Sequence, residues 1–77
     1  MRAPTLRQLH SFVAAVESGS LSAAARSLQI TQPAASQQIK ELERALATRL
    51  LQRGSGRVHP TPAGEAVLAQ ARRVQAA

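Results

Sequence analysis

The chain has 77 residues, with ten Lys and Arg against four acidic residues, for a net charge of +6. That length gives one small domain near the lower limit at which a core folds without staples, and the lack of cysteine removes disulfides and cysteine metal sites. The longest purely apolar run near the start, Phe12–Val16, is too short for a signal peptide or membrane span, so a soluble, cytoplasmic protein is expected.

So basic a domain points to a polyanionic partner, with nucleic acid ahead of an anionic membrane surface. Single-strand and sequence-specific RNA binders stack bases on aromatic rings. One Phe, without Tyr or Trp, nearly closes that route. Duplex DNA leads.

In chain order, Thr5-Leu6-Arg7-Gln8 fits a capping box, with Thr at the N-cap and Gln at N3. Leu6, Leu9, Phe12, Val13 and Val16 mark one helical face, and Gly19 supplies a left-handed stop, which predicts a first helix from Leu6 to Ser18. Ser20 caps a short second helix, Leu21 to about Leu28, with Ala24, Ala25 and Leu28 inward. Thr31 caps a third helix, where Pro33 is tolerated because its missing N–H has no intrahelical partner in the first turn. Ala35, Ile39, Leu42 and Leu46 step by four, three and four, the spacing of a buried stripe. Pro33, Gln37, Lys40 and Arg44 fall on the opposite side, with Ser36 on one shoulder. This helix is expected over 32–47.

Leu50-Leu51-Gln52-Arg53, a turn at Gly54-Ser55-Gly56-Arg57, and Val58-His59-Pro60 read as a small hairpin, with Pro60 at its edge or end. Thr61 and Pro62 start a fourth helix as N-cap and N1. Its stripe is Ala63, Ala66, Val67, Ala71 and Val74, interrupted by Gln70, with Leu68 off to one side. The expected architecture is mainly α: a three-helix core carrying a helix-turn-helix, a small β-hairpin wing, and a following helix.

Gln32, Ser36 and Gln37 are hydrogen-bonding side chains near the start of helix three, where recognition helices meet base edges in the major groove. A solvated polar face is the plain alternative, and Glu41 and Glu43 stand close enough to relieve part of the Lys40–Arg44 repulsion. Arg53 and Arg57 bracket the wing turn over 53–59, placed for phosphate or minor-groove contact, while Arg26 is a candidate for the backbone on the other side. His10 and His59 have no set of ligands around them, so no metal, cofactor or catalytic constellation is expected. Helix four lacks the large apolar side chains of a membrane-surface helix.

Leu9-His-Ser-Phe12, Gly19-Ser-Leu-Ser-Ala-Ala-Ala25, Thr31-Gln-Pro-Ala34, Ser36-Gln-Gln-Ile39, Leu42-Glu43 and Thr61-Pro-Ala-Gly64 resemble the N-terminal DNA-binding domain of bacterial LysR-type transcriptional regulators. The resemblance covers essentially the whole chain. It implies a winged helix-turn-helix over residues 1–61 and the start of a linker helix over 62–77, with a larger effector-binding domain normally following. The chain therefore reads as a fragment or engineered truncation, and a small-molecule effector would act only through that absent domain.

By resemblance, Gln32, Pro33, Ser36 and Gln37 sit where the family reads the major groove, with Lys40 and Arg53 at phosphate positions and Arg57 at the wing tip. Thr31 and Arg44 complete the candidates for backbone contact. The linker helix pairs two subunits in this family, which makes Ala63, Ala66, Val67, Ala71 and Val74 the expected dimer stripe, a higher oligomer being open to the full-length protein. Three positions depart from the family pattern: Gln37 replaces a frequent arginine, Ala47 a usual glycine and Leu51 a common phenylalanine. A reading of another class stays open, in which a basic helical interaction module binds an acidic partner and touches DNA only non-specifically. A preference for one duplex of roughly 10³-fold over random duplex separates the two.

Overall fold

Thr5 and Gln8 close the first helix reciprocally: the Gln8 N–H donates to Thr5 Oγ1 at 3.2 Å and the Thr5 N–H to Gln8 Oε1 at 3.1 Å. In the computed structural model, which describes residues 3–54 and 56–76, α1 spans Leu6–Ser18, α2 Leu21–Leu28 and α3 Gln32–Leu46. The hairpin strands β1 (Leu51–Gly54) and β2 (Arg57–Pro60) follow, then α4 (Pro62–Ala76). Ser20, Thr31 and Thr61 each accept the backbone N–H three residues on, satisfying donors that a helix start leaves open. Gly19 takes the expected left-handed conformation at the end of α1.

Helix three ends one residue earlier than expected. Ala47 adopts φ +55 as the left-handed cap, and its N–H donates to Arg44 O. A non-glycine residue there carries a penalty of about 1–2 kcal/mol. The next bond, Thr48 N–H to Glu43 O at 3.1 Å, closes the helix end despite that penalty.

The core lies between α1, α2 and α3, with Phe12, Leu42 and Leu50 fully buried. Ala15, Ala24 and Ala35 are also fully buried, and their small side chains allow the helices to approach closely. Two polar cross-links join α1 to α3: the Ser11 hydroxyl donates to Gln38 Oε1, and Gln8 Nε2 donates to Glu41 Oε1 at 3.4 Å. Leu46 departs from the expected buried stripe. It is 37% exposed and borders an open apolar cleft that Leu9 of α1 and Leu42 also line. Leu68, read as lying to one side of α4, is 7% exposed and belongs to the core.

The strands pair antiparallel with Leu51 opposite Pro60, Gln52 opposite His59, Arg53 opposite Val58 and Gly54 opposite Arg57. Pro60 ends its strand, where a missing N–H costs no ladder bond. Ser55 of the expected turn lies outside the described residues. The hairpin is tied at both ends. The Val58 N–H donates to Gly19 O at 3.2 Å, while Thr61 donates its N–H to Leu50 O at 3.0 Å and its hydroxyl to Arg49 O at 2.6 Å. Gly64 is buried against this base, since a Cβ there would stand 2.1 Å from Leu50 O. Among the described residues no helix is long and apolar enough to cross a membrane.

Candidate nucleic-acid interface

The wing lies beside α3 because β2 bonds to the α1–α2 turn and Leu51 and Val58 bury against the core. Side chains on one face of a strand repeat every second residue. Arg53 therefore shares the inward face with Leu51, and with Val58 opposite it. This directs Arg53 into the space between wing and α3 rather than out to solvent on the far side.

Two open concavities flank Arg53. The first, about 280 Å³, is lined by Ser36 and Lys40 of α3, Arg49, Arg53 and Glu43, over an apolar floor that includes Ile39 and Val58. The second, about 250 Å³, brings Gln32 together with Arg53, Arg57 and Ser22 around the start of α2. Arg53 lines both. Lys40, Arg53 and Arg57 form no salt bridge among the described residues. A phosphate track needs such uncommitted cations.

On the ridge of α3, Gln32, Pro33 and Gln37 are exposed and Ser36 is half-buried. Gln37 Nε2 reaches Glu41 Oε2 at 3.4 Å, a long contact at the surface. Thr31 is exposed, and its hydroxyl is engaged as the helix cap, accepting the Ala34 N–H at 3.2 Å. Arg44 and Arg26 are exposed but line neither concavity. Arg57 flanks the wing turn, and its guanidinium turns back over Gly19 instead of extending beyond the tip.

Glu43 does not serve to neutralise Lys40 and Arg44, as its place in the sequence suggested. Its Oε2 accepts the Leu50 N–H at 2.7 Å and the Leu51 N–H at 3.3 Å, with Arg49 Nε at 3.9 Å. Arg49 and Ser22 were not singled out from sequence, although both line the concavities. A basic residue in the connection between helix three and the hairpin was the available signal for Arg49. For Ser22, only the fold brings the start of α2 next to the wing. Among the described residues, no group of three or more His, Asp or Glu stands close enough to hold a metal ion.

The stripe on α4 divides into two rows. Ala63, Val67 and Ala71 lie one turn apart toward the core, where Ala71 is 3% exposed. Ala66, Gln70 and Val74 form the outer row, and Val74 is 55% exposed. That row, with Pro4, Leu9, Leu42 and Leu46, borders an apolar cleft.

Residues 6–65 match the family described as "Bacterial regulatory helix-turn-helix protein, lysR family". Similar proteins include the HTH-type transcriptional regulator TfdS of Cupriavidus pinatubonensis, 50% identical over 88% of this chain and 23% of that protein. The SDS degradation transcriptional activation protein of a Pseudomonas species is 46% identical over 90% of this chain and 22% of its own length. The chain thus spans less than a quarter of these curated relatives. Its fold is similar to the BenM DNA-binding domain solved in complex with catB site 1 DNA, with a TM-score of 0.88, 43% identity, and 94% of this chain and 80% of that one covered. The CbnR DNA-binding domain in its DNA complex gives a TM-score of 0.86 at 39% identity, covering 92% and 82%. With most of its length matched in sequence and the same winged arrangement of helices, the chain belongs to the LysR family of bacterial regulatory helix-turn-helix proteins.

Proposed function

We propose that this domain binds double-stranded DNA by sequence to regulate transcription, with α3 in the major groove and the wing on the backbone or in the minor groove. One observation carries the reading. The exposed polar ridge of α3 is flanked by concavities whose Lys40, Arg53 and Arg57 are held in no salt bridge among the described residues. Gln32, Pro33, Ser36 and Gln37 read base edges, while Thr31, Lys40, Arg44, Arg53 and Arg57 meet phosphates or the minor groove. Arg49 joins the second group. The DNA complexes of the similar BenM and CbnR domains support duplex DNA as the partner. The role is binding rather than catalysis, and it is exercised in the cytoplasm. Residues 1–61 form the winged unit and 62–77 begin the linker helix.

Arg53→Ala and Lys40→Ala are expected to weaken binding to specific and random duplex alike. Each lowers the slope of log affinity against log salt by roughly one, the share of a single phosphate contact. Fluorescence-anisotropy titrations at several salt concentrations measure this. An unchanged slope would return both residues to a solvated surface. The same titrations separate a specific reader, with a preference of roughly 10³-fold or more, from a basic interaction module without one.

The domain acts as a two-fold homodimer through α4. Support comes from the outer row Ala66, Gln70 and Val74, which leaves an apolar cleft open beside the exposed Leu46. Two-fold symmetry places the recognition helices about one DNA turn apart, roughly 34–36 Å, on a pseudo-palindromic site. Sedimentation with duplex DNA should show two chains binding cooperatively. If they bind independently, and a longer α4 adds no cooperativity, the dimer is wrong.

A further inference from the structure

We propose that Glu43 is the positioning residue of the wing: its carboxylate fixes where Arg49 and Arg53 stand relative to α3. This rests on the DNA-binding reading above. In a groove that faces a polyanion, a carboxylate opposes binding. Glu43 is nevertheless the one acid lining the concavity that holds Lys40, Arg49 and Arg53.

Its geometry supplies the reason. The side chain is 17% exposed, and one oxygen accepts both the Leu50 and Leu51 N–H groups while standing 3.9 Å from Arg49 Nε. Leu50 is fully buried and Leu51 nearly so, so their N–H groups are poorly placed to find water instead. Chain leaving the α3 cap at Ala47 is thereby drawn back onto α3 before it enters β1. The other ties of the wing run elsewhere: Val58 to the α1–α2 turn, and Thr61, just after β2, to Leu50 and Arg49 just before β1. Among the described residues, the Glu43 carboxylate is the hydrogen-bonding link between α3 and β1. Recognition helix and wing can bind one duplex together only if their spacing is held. Glu43 holds it.

The test compares Glu43→Gln with Glu43→Ala. Both remove the charge, so charge removal alone would strengthen duplex binding equally in the two. The glutamine keeps an oxygen for the Leu50 and Leu51 N–H groups, and alanine does not. Glu43→Gln is expected to bind random duplex at least as tightly as wild type, with the salt slope unchanged. Glu43→Ala is expected to bind it roughly threefold or more weaker than Glu43→Gln, its salt slope reduced by about one or more. In the free protein, amide hydrogen exchange should accelerate at Leu50 and Leu51 in Glu43→Ala, with the core amides of Phe12 and Leu42 still protected.

Equal affinities for the two variants would overturn the proposal. So would unaltered exchange at Leu50 and Leu51, or uniform acceleration that includes Phe12 and Leu42, which would give Glu43 a role in the whole fold only. If the wild type itself fails to bind duplex, the DNA-binding reading fails, while the exchange pattern still decides whether Glu43 holds the wing.

Discussion

Phe12→Ala is expected to remove a large share of the stability of the domain. Phe12 is fully buried, the single aromatic residue, and part of the cluster that joins α1 to Leu42, Leu50 and Val58. Truncation to alanine removes transfer energy and leaves a cavity, together about 3–5 kcal/mol. At roughly 0.05–0.15 kcal/mol per residue, 77 residues hold only about 4–12 kcal/mol. The gap is not easily closed, because Ala15 and Ala24 of the same cluster are small and sit on helices. Thermal melting followed by far-UV circular dichroism should show Tm falling by at least about 12 °C, at roughly 4 °C per kcal/mol for a domain of this size. A loss below about 1 kcal/mol would mean that Phe12 is not the centre of this core.

The largest effect on recognition is expected at Gln37. It is exposed on the ridge of α3, and its 3.4 Å contact with Glu41 is long enough to exchange readily for a base edge. A glutamine amide matches the acceptor and donor of adenine in the major groove, a pairing that discriminates by about 1–3 kcal/mol. Gln37→Ala should therefore weaken the preferred site by roughly 5- to 150-fold and leave random duplex nearly unchanged. Gln37→Arg should shift the preference at the same position toward guanine, since the guanidinium fork suits its two acceptors. A competition titration with single-base variants of the site measures both. Equal losses of Gln37→Ala on preferred and random duplex would remove Gln37 from base reading.

Sequence alone determined the helices of this protein and most of their ends. Thr5, Ser20, Thr31 and Thr61 each satisfy an N–H three residues away, and Gly19 takes a backbone conformation open to few other residues. These are local interactions, so spacing along the chain is enough to specify them. The polar ridge of α3 was legible for the same reason, because the 3.6-residue period separates its faces wherever the helix lies.

Tertiary structure decided what depends on contacts between distant residues. Glu43 looked like one more charge on a helix until the chain returned seven residues later to present the Leu50 N–H. Gln38 and Glu41 find Ser11 and Gln8 across 27 and 33 residues. The α4 stripe reads as one face by period. Which row turns inward depends on the angle at which the helix leaves the wing base, and there the close approach of Gly64 to the Leu50 carbonyl fixes it. The same packing buries Leu68 and Ala71 and leaves Val74 and Leu46 exposed. Periodicity establishes that a helix has an apolar face, whereas the neighbours available to cover it determine how far along the helix that face is buried.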